Sequence, residues 1–320
     1  MASPKVPPSG IWAPAVTLFD PETDDLLPSD QAKYYAYLSR TGLSGLVILG
    51  TNAETFLLTR EERKQLLQIA RGACGADFPL MAGVGGHSTR QVLEFIADAA
   101  DAGADSVLVL PPAYFGKATT PAVIDRFYAD VAARSTLPIV VYNFPGVCNG
   151  VDLDSATIVR LARAHPNIVG VKLTCGSVAK VTRIAAELSP DRFAVFGGQS
   201  DFLIGGLSVG SAGCIAAFAN VFPRTIVRVY ELYKEGRYQE ALALHQKAAL
   251  AEQPCKSGIA ATKYAAAIYT AAAAGIEGAE EKMRPRRPYT EPAAAAKQDV
   301  VAQMAELAKI EEGFATSSRP

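Results

Sequence analysis

The chain repeats one unit: a short apolar run, a segment of helix length, then the next run, at a pitch of about 25 to 35 residues. The runs are Ile11 to Phe19, Ser44 to Gly50, Pro79 to Val84, Ser106 to Leu110, Pro138 to Tyr142, Ile168 to Lys172, Arg192 to Phe196 and Gly210 to Ala216. Most are rich in Val, Ile and Leu and bounded by Gly or Pro, which is the pattern of buried strands. Between them, Thr59 to Cys74, Ser88 to Ala102, Pro121 to Arg134 and Leu153 to Ala164 carry apolar residues at helical spacing. Thr59 with Glu62 makes a capping box, and Ser29, Ser88 and Thr120 stand at other helix starts. Eight units of this kind predict an α/β fold of the (β/α)8 TIM-barrel class. An open doubly wound sheet is the main rival, but no GxGxxG turn follows the first run, and eight units suit closure better.

Beyond Asn220 the pattern is helical only: Phe222 to Lys234, Tyr238 to Glu252, Ser257 to Ala274 and, after the basic link Arg284 to Pro288, Ala293 to Ile310. The expected organisation is a barrel catalytic domain over residues 9–221 with an appended C-terminal helical region over 222–312, used for packing or assembly. At 320 residues the chain is long enough for one large barrel. Its net charge of −1 offers no long-range attraction to nucleic acid or an anionic membrane, which leaves a small molecule as the expected partner. The stretch Gly258 to Ile276 owes its apolar character to Ala and contains Lys263, so a buried helix is expected there, not a membrane span.

Five cysteines, Cys74, Cys148, Cys175, Cys214 and Cys255, never form a CxxC pair, which argues against a disulfide framework or a zinc site and for a reducing compartment. No charged start followed by an apolar h-region opens the sequence, and a cytoplasmic location is expected. His87, His165 and His245 lie in a loop, before a proline and inside a helix, without paired ligand spacing. Neither a metal nor a cofactor is expected.

Barrel active sites form from the loops at the C-terminal ends of the strands, so polar side chains at those ends take the functional reading first. Lys172 ends the sixth run. An ammonium in a strand buried on both faces must find a partner, reach solvent or lose its proton, and the last two suit a nucleophilic amine. The plainer reading is a lysine that snorkels to the rim or pairs with a carboxylate. A free amine there can add to a ketone, lose water and leave a protonated imine that draws electrons from the adjacent bond. Tyr142 ends the preceding run, about 4.8 Å away across neighbouring strands. Its phenol could carry a proton for the substrate hydroxyl, or its ring could simply pack over the barrel end. Gly50-Thr51-Asn52-Ala53-Glu54 ends the second run, and its amides, the Thr51 hydroxyl and the Asn52 side chain could hold a carboxylate or merely make a turn. Tyr114, after Pro111-Pro112, is open to either reading.

Four segments stand in order after runs two, four, five and six: GTNAE, PPAYF, YNFP and GVKLT. On these the chain resembles the dihydrodipicolinate synthase and N-acetylneuraminate lyase family of class I aldolases, across residues 9 to 310. The resemblance implies Lys172 as the Schiff-base lysine, Tyr142 as the proton-relay phenol and Thr51 as the hydroxyl linking Tyr142 to Tyr114. It implies that Tyr114 reaches into a neighbouring subunit's site, in a homotetramer built of two tight dimers. Thr51 and Asn52 would face the carboxylate of the pyruvyl moiety, and Gly198 and Ile215 would line the pocket by their backbones.

The departures bear on substrate. Family members commonly read GTTGE; here Asn52 changes the carboxylate clamp, and Ala53 replaces a glycine at a cost of about 1 kcal/mol if the turn needs positive φ. After YNFP, synthases carry an arginine that grips the aldehyde substrate's carboxylate, whereas Gly146 to Gly150 contains no cation. The implied activity is reversible cleavage of a 2-oxo-4-hydroxy acid to pyruvate and an aldehyde, as in the 4-hydroxy-2-oxoglutarate and 2-keto-3-deoxy sugar acid aldolase branch, in preference to dihydrodipicolinate synthesis. Two readings from other classes stand beside it: a non-catalytic barrel that binds oxo acids, and a phosphate-binding barrel enzyme using Gly197-Gly198 and Gly210 to Gly213.

Overall fold

A computed structural model describes residues 5–317. Strands β1 (Gly10–Pro14), β2 (Gly45–Ile48), β3 (Leu80–Gly83), β4 (Ser106–Val109), β5 (Ile139–Asn143), β6 (Ile168–Leu173), β7 (Ala194–Gly197) and β8 (Gly213–Ile215) pair in parallel and in chain order, and β8 returns to β1 to close the barrel. Helices α1 (Pro28–Leu38), α2 (Arg60–Cys74), α3 (Thr89–Asp101), α4 (Pro121–Arg134), α5 (Ser155–Ala164), α6 (Val178–Glu187) and α7 (Leu203–Leu207) connect successive strands, and α8 (Pro223–Lys234) follows β8. This is the TIM-barrel architecture the repeat predicts. Trp12, Val47, Met81, Leu108, Val140, Phe196 and Ile215 fill its interior, while the alternate strand residues pack outward under the helices.

The strands are shorter than the apolar runs. The first run extends to Phe19, but β1 stops at Pro14. Beyond it Val16 N–H donates to Asn220 Oδ1 and Leu18 N–H to Gln31 Oε1, so side chains take over from the ladder while burial persists. Apolar residues there report burial, not pairing. At the seam Gly213 lies opposite Gly10, and a Cβ on Gly213 would run into the Gly10 carbonyl. Thr59, Ser88 and Thr120 cap α2, α3 and α4 as expected; Ser29 does not, because α1 begins at Pro28 behind an uncapped Leu27.

The C-terminal part contains α9 (Tyr238–Glu252), α10 (Ile259–Ala266), α11 (Ala279–Lys282) and α12 (Ala294–Ser317). The expected single helix from Ser257 to Ala274 is interrupted: Gly258 adopts φ 130°, α10 follows, and residues Ala267–Ala271 widen into a π turn. No helix among the described residues is long and apolar enough to cross a membrane. The N-terminus of α8 has no cap of its own. Instead Glu311 of α12 accepts from Arg224 N–H (2.9 Å), Thr225 N–H (2.7 Å) and the Thr225 hydroxyl (2.6 Å). Burial pushes the Glu311 carboxyl above its ordinary range despite these bonds.

Candidate active site

Lys172 and Tyr142 are register partners on β6 and β5. Their shared inward direction depends on an irregularity. Ile139 pairs with Ile168 but Val140 with Gly170, so Val169 is one residue too many in β6. Ile168 faces outward, Val169 inward, Val171 outward again. Strict alternation from Ile168 would turn Lys172 into the helix layer; the bulge at Val169 re-aims it into the barrel. Gly170 makes this possible, because a Cβ there would stand 2.8 Å from the Ala194 carbonyl of β7.

Once inside, Lys172 is 2% exposed and donates to Tyr142 Oη at 3.2 Å, with Nζ 4.3 Å from the centre of the same ring. Tyr142 Oη also lies 3.3 Å from Thr51 Oγ1. Thr51 opens a 3-10 turn, Thr51–Ala53, directly after β2, with Asn52 half-buried beside it. Amine, phenol and hydroxyl thus form a chain of polar hydrogens at the C-terminal end of the barrel, which is the arrangement needed to move a proton beside a nucleophile. The penalty expected at Ala53 does not arise: the left-handed residues of this loop are Leu49 (φ 65°) and Glu54 (φ 57°).

Gly198 follows β7, and its N–H donates to Leu173 O at 3.0 Å. A side chain there would collide with Thr174, whose buried Oγ1 has no hydrogen-bond partner. Ile215 ends β8 inside the barrel, fully buried. Tyr114 is elsewhere. It is 72% exposed and packs against His87 and Phe115 at ring-centre distances of 5.7 and 5.3 Å. Its loop is tethered by Asn149, which donates to Ala113 O at 2.6 Å. The chain therefore brings together Lys172, Tyr142 and Thr51, places Asn52 next to Thr51 in sequence, Gly198 against Leu173 and Ile215 in the barrel interior, and leaves Tyr114 on the surface.

Several site-framing residues escaped the sequence reading. Asn143, inside the YNFP segment, is fully buried; its Oδ1 accepts from Leu153 N–H (2.8 Å) and its Nδ2 donates to Asp152 (2.7 Å), which also pairs with Lys180. This fixes the far end of the loop that follows β5. Within that loop, burial pushes the Cys148 thiol up to about 11, so it is neutral at pH 7. Ser200, in the loop after β7, donates to the buried Glu252, which Lys256 pairs at 3.0 Å. Thr174 stands two residues past Lys172, and that proximity to a strand end was the available signal. Among the described residues no group of three or more His, Cys, Asp or Glu side chains is disposed to hold a metal ion.

A model of the Dihydrodipicolinate synthetase family matches residues 7–307. A Coccidioides immitis protein provisionally named a mitochondrial 4-hydroxy-2-oxoglutarate aldolase is 70% identical over 311 residues, covering 97% of this chain and 99% of that protein. The L-threo-3-deoxy-hexylosonate aldolase of Hypocrea jecorina is 39% identical over 283 residues, covering 84% of this chain and 89% of its own length. A crystal structure of a dihydrodipicolinate synthase family protein from Coccidioides immitis superposes with a TM-score of 0.92 at 66% identity, covering 97% of this chain and 99% of that one. The mitochondrial name overturns the cytoplasmic expectation. Free cysteines and the lack of an apolar h-region speak against secretion but not against an organelle, because organelle transit peptides are amphipathic and carry no h-region.

Proposed function

This chain belongs to the Dihydrodipicolinate synthetase family, and from that premise we propose that it is a class I aldolase that reversibly cleaves a 2-oxo-4-hydroxy acid to pyruvate and an aldehyde through an imine on Lys172. The observation that carries this reading is the placement of the Tyr142 hydroxyl 3.2 Å from Lys172 Nζ and 3.3 Å from Thr51 Oγ1.

Lys172 adds to C2 of the oxo acid and water leaves, giving a protonated imine. The C3–C4 bond then breaks: its electron pair moves into the imine to form an enamine, while the C4 hydroxyl proton passes to Tyr142, whose own phenolic proton moves on to Thr51 and is available for return to C3, and the aldehyde departs. Protonation of the enamine at C3 and hydrolysis of the imine release pyruvate and restore Lys172. Thr51 holds the Tyr142 hydroxyl, and Thr51 with Asn52 faces the carboxylate at C1. Tyr114, exposed in a cluster with Phe56 and Phe115, completes the relay from a second copy of the chain in a homotetramer built as a dimer of dimers.

The names of the relatives support both a 4-hydroxy-2-oxoglutarate and a 3-deoxy-hexulosonate as substrate. Dihydrodipicolinate synthesis is disfavoured by charge. The loops that follow the eight strands hold one Lys or Arg among them, the exposed Lys117, so the arginine expected of synthases after YNFP has no counterpart there, and the second carboxylate of a 4-hydroxy-2-oxoglutarate would be met by neutral donors. Borohydride reduction in the presence of pyruvate, read by intact mass, tests the proposal. The wild type gains a reduced pyruvyl adduct and Lys172→Ala does not. A folded wild type that gains nothing would favour a barrel that binds oxo acids without turnover, and an adduct persisting in the variant would assign the imine to another lysine.

A further inference from the structure

The chain buries a second lysine. Lys263 of α10 is 0% exposed, and its Nζ donates to Glu54 Oε1 and to Arg284 O, at 2.6 and 2.7 Å, while lying 4.7 Å from the centre of the Phe19 ring. Glu54 is the residue that ends the Thr51–Ala53 turn, in the left-handed conformation that reverses the chain there. Its other oxygen, Oε2, accepts from Arg286 N–H at 2.7 Å. The Arg286 guanidinium in turn forks onto Glu62 at 2.7 Å through both terminal nitrogens, reaches Asp24 at 3.3 Å, and donates to Leu57 O at 3.0 Å. Four points of the loop that carries Thr51 and Asn52 are therefore held: Ala53 O by the Thr17 hydroxyl, both oxygens of Glu54, and Leu57 O. Three of these four come from beyond residue 260.

A buried ion pair is a poor device for stability alone. Removing two charges from water offsets most of their attraction, and apolar residues of the same volume often serve the fold as well. Burial depresses Lys263, with Glu54 opposing the shift, which is the mark of that cost. What a carboxylate gripped at both oxygens does supply is direction, because the two donors fix its plane and so fix the backbone that bears it.

We propose that Lys263, acting through Glu54, is a positioning residue of this active site, through which the C-terminal region sets the turn that presents Thr51 to Tyr142 and Asn52 to the substrate carboxylate. The inference rests on the aldolase reading above. It assigns Lys263 no contact with substrate and no role in imine chemistry, since the amine is sealed from solvent and committed to two acceptors.

The test compares wild type, Lys263→Met, and the double variant Glu54→Leu with Lys263→Met, whose charges are both removed so that no ion is stranded. Each is trapped with borohydride over a range of pyruvate concentrations. Lys172 and Tyr142 are intact in all three, so each still forms the adduct. The expected result is a rise of about 10-fold to 100-fold in the pyruvate concentration for half-maximal trapping, in the double variant even where its melting temperature matches wild type. A stable double variant with unchanged half-saturation overturns the proposal and leaves the pair a purely structural contact. A double variant that fails to fold overturns it equally, since the pair is then required by the fold itself. Wild type that traps no pyruvate at all would instead fail the aldolase reading.

Discussion

Tyr142→Phe separates the phenol from its ring. The ring stays under Lys172, 4.3 Å from Nζ, while two polar contacts vanish, the 3.2 Å bond from Lys172 and the 3.3 Å bond with Thr51. Such bonds contribute about 1 kcal/mol each to net stability. The expected loss of about 1 to 2 kcal/mol leaves a domain of about 5 to 15 kcal/mol folded. The reaction is hit harder. A positioned acid–base group accelerates turnover by about 10² to 10⁴, which is about 2.7 to 5.4 kcal/mol of barrier at 1.36 kcal/mol per decade. Catalytic loss thus exceeds the structural loss by enough to tell them apart. Pyruvate release from a 2-oxo-4-hydroxy acid is followed continuously, beside thermal unfolding and borohydride trapping with pyruvate. The variant should melt within a few degrees of wild type, accumulate the Lys172 adduct more slowly, and turn over at least about 100-fold less. Turnover within about threefold of wild type, on the same scale, would refute the relay and reduce Tyr142 to packing.

Two further outcomes follow from packing and charge. In Gly170→Ala the new Cβ meets the Ala194 carbonyl at 2.8 Å, so β6 must shift from β7; the expected cost is about 1 to 3 kcal/mol by chemical denaturation, with trapping at Lys172 reduced in the folded protein, and unchanged trapping would mean that the bulge at Val169 does not aim the lysine. Glu311→Gln probes the cap that α12 places on α8. Because burial raises the folded carboxyl above its unfolded value, the native state binds the extra proton between those two values. Wild type therefore gains stability relative to the glutamine variant as pH falls from the raised value through the ordinary carboxylate range, and a constant difference across that range would mean Glu311 is not perturbed.

What the sequence could and could not display follows from the reach of each interaction. The barrel is legible because its signal is repeated and local: each unit has its own apolar run, cap and breaker, as at Thr59 with Glu62. Lys172 and Tyr142 are legible as strand ends, since position along a strand can be counted. Their direction is not, because the bulge at Val169 is a property of how β6 pairs with β5, and Gly170 signals only a bulge or a close backbone approach without saying which. Strand ends misread in the same way: Val16 and Leu18 look like more strand, yet their amides are satisfied by Asn220 and Gln31. Tyr114 is legible as a residue after a strand, yet it lies 72% exposed and away from Lys172, Tyr142 and Thr51, so the role the resemblance implies for it depends on a second copy of the chain.

The Glu54–Lys263 pair marks the far end of that scale. It joins residues 209 apart, and each of its members looks ordinary where it stands: Glu54 as the close of a polar turn, Lys263 as an interruption in an alanine-rich helix that reads as a reason to reject a membrane span. Only their coincidence in a water-free place gives them meaning, since an ammonium with no access to solvent must be matched by an acceptor that cannot leave. A barrel rim offers short loops and little rigidity of its own. Binding the second loop to a helix from beyond the barrel is a way to hold the carboxylate clamp proposed for Thr51 and Asn52 steady without adding a cation to the site. That makes the appended helices a part of the site's geometry, acting at a distance through one buried carboxylate.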